Sequence, residues 1–208
     1  MIPSNQVDGL ILAGGQSRRM QPNAGQSVDK GLLVLEGVPL VQTVAAYLQP
    51  QVETLYISTN RHAERYGRYG HCIPDDPAFG GNAGPLAGVA SVMMQARRPW
   101  LFVLPVDVTH LPEDLFPRLA DAVAQGAPIA YATAGKGAHP LCMLVRCDLC
   151  EDLRDYLQEG GRKVLDWHQR HHATAVDYGA NDALFRNINT PADWLAAGGS
   201  SASIYASQ

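Results

Sequence analysis

The sequence predicts an α/β fold, a three-layer α/β/α sandwich on a mostly parallel sheet. Strand-like runs alternate with helical patterns along most of its 208 residues, the order that produces a sheet covered by helices on both faces. The run Leu10-Ile-Leu-Ala13 lacks polar alternation, as a central parallel strand buried on both faces requires. An apolar content of 46% allows one sizeable core, and the length suits one domain better than two. Residues 1–197 are therefore read as a single domain. Residues 198–208 are small and polar and read as a flexible tail.

Taken in order, the first strand is expected at Val7–Ala13, where the apolar run breaks at Gly14 and Gly15. Gln21–Val28 reads as a loop. Leu40–Leu48 is helical because Val41, Val44, Ala45 and Leu48 repeat at helical spacing. Strands follow at Leu55–Thr59 and His71–Pro74, then a glycine-rich loop at Pro77–Gly84. A helix is expected over Leu86–Arg97, a strand over Trp100–Val106, and a helix over Glu113–Gln125. Pro39, Pro85, Pro112 and Pro191 each stand where a helix starts, a place where a missing N–H costs nothing. Pro117 is expected to bend or shorten its helix. Strands at Ile129–Thr133, Leu141–Arg146 and Ala173–Tyr178 and helices at Leu149–Glu159, Arg162–His168 and Ala192–Ala196 complete the pattern.

Charge excludes some functions. Sixteen basic against 20 acidic residues give −4, so no basic field is present to wrap nucleic acid, and any anion site must be local. No apolar run reaches membrane-spanning length, and Met1–Gln6 is polar rather than signal-like. A cytoplasmic monomer without a membrane partner is expected. Cys72 and Cys142 sit in apolar stretches and read as core residues. Cys147-Asp-Leu-Cys150 has no second pair and opens a helix, which argues against zinc or redox use. His168, His171 and His172 lack a spaced carboxylate or cysteine set and read as a solvated helix end.

The chemistry concentrates around Leu10-Ile-Leu-Ala-Gly-Gly-Gln-Ser-Arg-Arg-Met20 and Val28-Asp-Lys-Gly-Leu-Leu33. Gly14 and Gly15 allow a tight turn at positive φ with no Cβ to hold a ligand away from backbone N–H groups. Those amides, with Ser17, Arg18, Arg19 and Lys30, make a polyphosphate site. The spacing matches neither the G-x-x-x-x-G-K-[ST] loop nor the G-x-G-x-x-G dinucleotide turn. It is not a serine elbow either, because Arg19 stands where G-x-S-x-G needs its last glycine.

Further segments extend this pattern in order: Gly37-Val-Pro-Leu40, Asn60-Arg61, Pro74-Asp-Asp76, Gly84-Pro-Leu-Ala-Gly88, Pro105-Val-Asp107, His139-Pro140 and Asn187-Ile-Asn-Thr-Pro191. With Leu12–Met20 and Asp29-Lys-Gly31, the chain resembles the molybdenum cofactor guanylyltransferases over residues 7 to 196. The resemblance implies a Rossmann-like, glycosyltransferase-A-type nucleotidyltransferase that joins GMP from GTP to the terminal phosphate of molybdopterin, bare or metallated, and releases pyrophosphate. A cytidylyltransferase for the same pterin, a sugar-phosphate nucleotidyltransferase and a non-catalytic nucleotide sensor or carrier stay open as alternatives. Molybdenum cofactor biosynthesis proteins are the expected partners.

The same resemblance assigns roles. Leu12, Ala13, Gly14 and Gly15 contact base, ribose and phosphates through the backbone, and Lys30 neutralises the triphosphate. Arg19 serves the leaving pyrophosphate, and Arg18 is undecided. Asp75, or else Asp76, hydrogen-bonds guanine or ribose, and Ser58 stands where some members carry a guanine-contacting asparagine. Gly84 and Gly88 permit close approach. Asp107 binds Mg²⁺, with Asn187 or Asn189 as second ligand, Asn189 being the one carried forward. His139 borders the pterin end, or merely closes a strand turn. Arg162 and Lys163 meet the acceptor phosphate, or are a helix cap and exposed charges. Eight residues separate Met20 from Asp29, more than the family usually has, so Gln21–Val28 is either a lid or a bulge. No strong base is needed, since a phosphate monoester with a second pKa of about 6 is already mostly dianionic at neutral pH.

Overall fold

In a computed structural model, residues 2–15, 20, 28–81, 83–135 and 137–200 are described. Eleven strands and seven α-helices are found among them. In chain order they are β1 (Val7–Leu12), β2 (Val34–Leu35), β3 (Val38–Pro39), α1 (Leu40–Leu48), β4 (Thr54–Ser58), α2 (Ala63–Tyr66) and β5 (His71–Ile73). Next come α3 (Pro85–Met93), β6 (Trp100–Pro105), β7 (Val108–Thr109), α4 (Leu115–Ala124), β8 (Ile129–Ala134) and β9 (Gly137–Arg146). The last are α5 (Cys150–Gln158), α6 (Val164–Arg170), β10 (Thr174–Asp177), β11 (Arg186–Asn187) and α7 (Pro191–Ala196).

The main sheet has seven strands in the order β10-β8-β9-β6-β1-β4-β5. Every pairing is parallel except those of β9, which runs antiparallel to both β6 and β8. Strand alternation sends side chains to two cores. Ile11, Phe102, Leu104 and Leu144 pack under α1, α4 and Tyr66. Leu10, Leu101, Val103, Met143 and Val145 pack under α3, α5 and Trp167 of α6. The unbroken apolar run of β1 is explained by this double cover. A third cluster joins Met20, Val28, Leu33, Leu40, Ile188 and Trp194, tying the segment after the glycine turn to α7.

Several expectations need correction. The predicted strand Leu141–Arg146 is the second half of β9, which begins at Gly137 because its amino end pairs with β8 through a bulge. The helix expected to reach Arg97 ends at Met93. There the chain turns so that the amides of Arg97 and Arg98 donate to the buried Asp8 Oδ2, at 2.9 and 3.2 Å. Pro112 lies upstream of α4, its carbonyl accepting the Leu115 amide at 3.1 Å. Pro117 falls on the third residue of α4, where no intrahelical donor is lost. His168 is not at a solvated end: it is 2% exposed, with its ring tilted against those of Tyr131 and Trp167. Cys147 and Cys150 are free, and burial pushes the Cys147 thiol up to about 12.

Candidate active site

Strand order reverses at β1, whose neighbours β4 and β6 lead away in opposite directions, and open α/β sheets bind ligands at the carboxyl ends of such strands. A cleft of about 560 Å³ opens there. It is lined by Leu12, Gly14 and Gly15 after β1, Ser58 and Asn60 after β4, and Gly84, Pro85 and Gly88 at the start of α3. Lys30, Asp75, Pro105, Asp107, Leu141 and Asn189 also line it, with Gly81 and Ala83 at the edge of the loop before α3. The Ala13 amide donates to the Ser58 carbonyl at 2.9 Å and the Val106 amide to the Leu12 carbonyl at 3.1 Å, so both flanking strands grip the turn.

Gly14 and Gly15 do not adopt the positive φ expected of them. They widen the floor instead: nothing lies within 4 Å of where a Gly15 Cβ would be, and the nearest atom at Gly14 is 3.7 Å away. Positive φ appears at Gly84, with φ 74°, immediately before α3. Gly88 is needed for space, because a Cβ there would fall on the Ser58 hydroxyl.

Lys30 begins a short 3-10 turn, Lys30–Leu32, capped by Asp29, which accepts the Gly31 amide at 3.2 Å and the Tyr66 hydroxyl at 2.5 Å. A Cβ on Gly31 would strike that hydroxyl. The residues either side of the lysine therefore set its direction. Its ammonium donates to Asp107 Oδ2 at 2.5 Å, Asn189 Oδ1 at 3.0 Å and the Ile188 carbonyl at 3.1 Å. The Lys30 and Asp107 side chains are only 13% and 16% exposed. The small ribbon β7–β11 brings these segments together, and the Ile188 amide donates to the Asp107 carbonyl at 3.0 Å.

At the β4–β5 side, Asp75 Oδ2 accepts from Asn60 Nδ2 at 2.9 Å and Oδ1 from the Ser58 hydroxyl at 3.3 Å. The Asp75 amide donates to Asn60 Oδ1 at 2.8 Å. Asp76 turns away and caps the next turn through the Ala78 amide at 2.9 Å. Of the expected site residues, the structure gathers Leu12, Gly14, Gly15, Lys30, Ser58, Asp75, Gly84, Asp107 and Asn189 in one cleft. Ala13 is buried just behind it. Arg18, Arg19, most of the Gln21–Val28 loop and tail residues 201–208 lie outside the described residues.

Three acceptor-side expectations are not brought there. His139 stacks on Phe185, centroids 4.8 Å apart, in a separate groove with Asp182 and Asn187. Burial holds its imidazole below the usual range. Arg162 donates to the Leu157 and Gly161 carbonyls at 2.7 and 2.6 Å, closing the end of α5. Lys163 is exposed and lies 3.9 Å from Asp166. Asn60 and the Ile188 carbonyl had no assigned role. Asn60 was visible only as part of a motif, and a main-chain carbonyl leaves no residue-type signal.

Residues 9–173 match the MobA-like NTP transferase domain. The chain is similar to the molybdenum cofactor guanylyltransferase of Shewanella halifaxensis, 37% identical over 187 residues, covering 89% of this chain and 90% of that protein. Against the protein of the same name from Shewanella loihica, identity is 36% over 189 residues, covering 90% and 93%. Among solved structures, the molybdopterin-guanine dinucleotide biosynthesis protein A from Archaeoglobus fulgidus superposes with a TM-score of 0.68 at 20% identity, covering 91% of this chain and 96% of that one. A nucleotidyl transferase from Methanothermobacter gives 0.70 at 21% identity, covering 92% and 95%.

Proposed function

We propose, from the premise that this chain belongs to the MobA-like NTP transferase family and within it to the molybdenum cofactor guanylyltransferases, that it transfers GMP from GTP to the terminal phosphate of molybdopterin and releases pyrophosphate. The observation that carries the reading is the Lys30–Asp107–Asn189 set beside an open glycine turn at the strand-order reversal.

Two polyanions must meet at one phosphorus, so the problem is charge and orientation rather than proton removal. The turn Leu12–Gly15 offers its backbone to the phosphates. Lys30 supplies a compact positive charge. Ser58 and Asn60 hold the Asp75 carboxylate toward the nucleoside end, where it selects donors on base or ribose. The described residues lining the cleft carry one ammonium and two carboxylates, and the Arg61 guanidinium donates to the Gly15 carbonyl at 3.3 Å beside them. Mg²⁺ would be held by the Asp107 carboxylate and the Asn189 amide oxygen, hard ligands of the one-or-two-oxygen kind this ion takes beside substrate phosphates and water. Both accept the Lys30 ammonium here, so Lys30 would turn toward the phosphates when the ion binds. When bound it would neutralise charge at the transferring phosphoryl group. Arg19 is proposed for the pyrophosphate, and His139, Arg162 and Lys163 would serve the acceptor only from outside this cleft. The reading is that of a cytoplasmic monomer; among the described residues no helix is long and apolar enough to cross a membrane.

The test is direct. Purified protein, molybdopterin, Mg²⁺ and each of GTP, CTP, ATP and UTP are mixed, and the product is identified by mass. A guanine dinucleotide with equimolar pyrophosphate is expected. A cytosine product, or tight GTP binding with no turnover, would replace the reading.

A further inference from the structure

Two of the three oxygens that hold the Lys30 ammonium come from one short span, the Ile188 carbonyl and the Asn189 side chain. The near end of that span is held by the Asp107 carbonyl, which accepts the Ile188 amide at 3.0 Å. Its far end is held by Asp193, on the first turn of α7, which does not line the cleft. Asp193 Oδ2 accepts the Asn189 amide at 3.0 Å and the Thr190 amide at 2.8 Å. The Asp193 amide donates in return to the Thr190 hydroxyl at 3.1 Å. This is a capping box, but one in which the carboxylate also grips the amide of the residue that reaches Lys30. The next residue, Trp194, is fully buried with Met20, Leu33 and Ile188, so the helix bearing Asp193 is anchored.

We infer that Asp193 is a positioning residue for triphosphate binding, acting on Lys30 through Asn189 and the Ile188 carbonyl. The inference rests on the reading of the cleft given above. One peptide plane joins the Ile188 carbonyl to the Asn189 amide, so rotation of that plane removes an acceptor from Lys30 and displaces the Asn189 side chain together. Lys30 would then keep Asp107 alone and swing with it. Outer partners that orient metal ligands cost on the order of 10–100-fold in affinity or activity when lost, and the lower end of that scale is taken for an ammonium held the same way.

The chain has three lysines, Lys30, Lys136 and Lys163, so 15Nζ-lysine NMR resolves Lys30 once Lys30→Arg identifies its signal. In Asp193→Ala the Lys30 signal should move toward that of a free ammonium, and GTP affinity should fall on the order of tenfold while guanosine affinity holds. Asp193→Glu, the residue favoured at this capping position, should restore both. Asp193→Asn, which keeps an acceptor oxygen without the charge, serves if the alanine variant does not fold, and an intermediate Lys30 shift is expected. A variant that melts earlier yet keeps the wild-type Lys30 signal and GTP-to-guanosine ratio would reduce Asp193 to a helix cap and overturn the inference. Failure of the wild type to bind GTP would strike the functional reading instead, because the Lys30 signal is read without nucleotide.

Discussion

Replacing Lys30 by alanine separates the phosphate end of the cleft from the nucleoside end. The ammonium makes three contacts within 3.1 Å, and both it and its Asp107 partner are largely shielded. A charge-assisted hydrogen bond in such a setting is worth about 1.5–3 kcal/mol. One lost phosphate contact should therefore weaken GTP roughly ten- to a hundredfold. Guanosine carries no phosphate, and Ser58, Asn60 and Asp75 are untouched, so its affinity should stay within about twofold, a difference below 0.5 kcal/mol. The same change strands the Asp107 carboxylate, costing about 1–3 kcal/mol, or about 2–12 °C of melting temperature for a chain this long. Lys30→Ala/Asp107→Asn should recover part of that stability without recovering GTP binding. Calorimetric titration with GTP and guanosine, beside thermal melts, reads all of this. Equal losses for the two ligands, or unchanged GTP affinity, would refute the assignment of Lys30 to phosphate.

Other consequences can be checked independently. Asp107→Ala should abolish Mg²⁺-dependent pyrophosphate release while circular dichroism stays native, and unchanged turnover would remove its metal role. Gly88→Ala places a methyl against the Ser58 hydroxyl and 3.1 Å from Leu12 Cδ2. Overpacking of this kind costs about 1–3 kcal/mol, and the cleft narrows, so both melting temperature and GTP affinity should drop; a variant with neither change would mean the helix shifts freely. Burial lowers the pKa of His168 from 6.5 to about 4. The unfolded chain then binds more protons than the folded one between these values, so stability present above pH 6.5 is lost as pH falls toward 4, by roughly 3 kcal/mol. His168→Gln should flatten that part of a denaturation-versus-pH curve, and an unaltered slope would show that another group is responsible.

Layering was readable because burial on two faces demands it: Leu10-Ile-Leu-Ala13 has no polar residue to offer solvent, and α1 carries its stripe at Val41, Val44, Ala45 and Leu48. The cleft residues from Leu12 to Asp107 were readable from motif order, since the carboxyl end of each strand carries its own short signature. The reversed direction of β9 was not, because apolar periodicity is the same in either direction. The ribbon of β7 with β11 was equally silent, being two residues long on each side.

The chain by itself determined the alternation of the main-sheet strands with their helices, the break at Gly14 and Gly15, and most of the polar side chains that meet in the cleft, because these follow from periodicity and local spacing. Only the tertiary structure decided that Asp75 rather than Asp76 faces the cleft, that Asn189 rather than Asn187 meets Lys30, and that His139 and Arg162 stand apart from it. Those choices depend on contacts between segments distant along the chain, such as the 77- and 159-residue separations that Lys30 closes onto Asp107 and Asn189. No local pattern encodes where two distant strands deliver their ends.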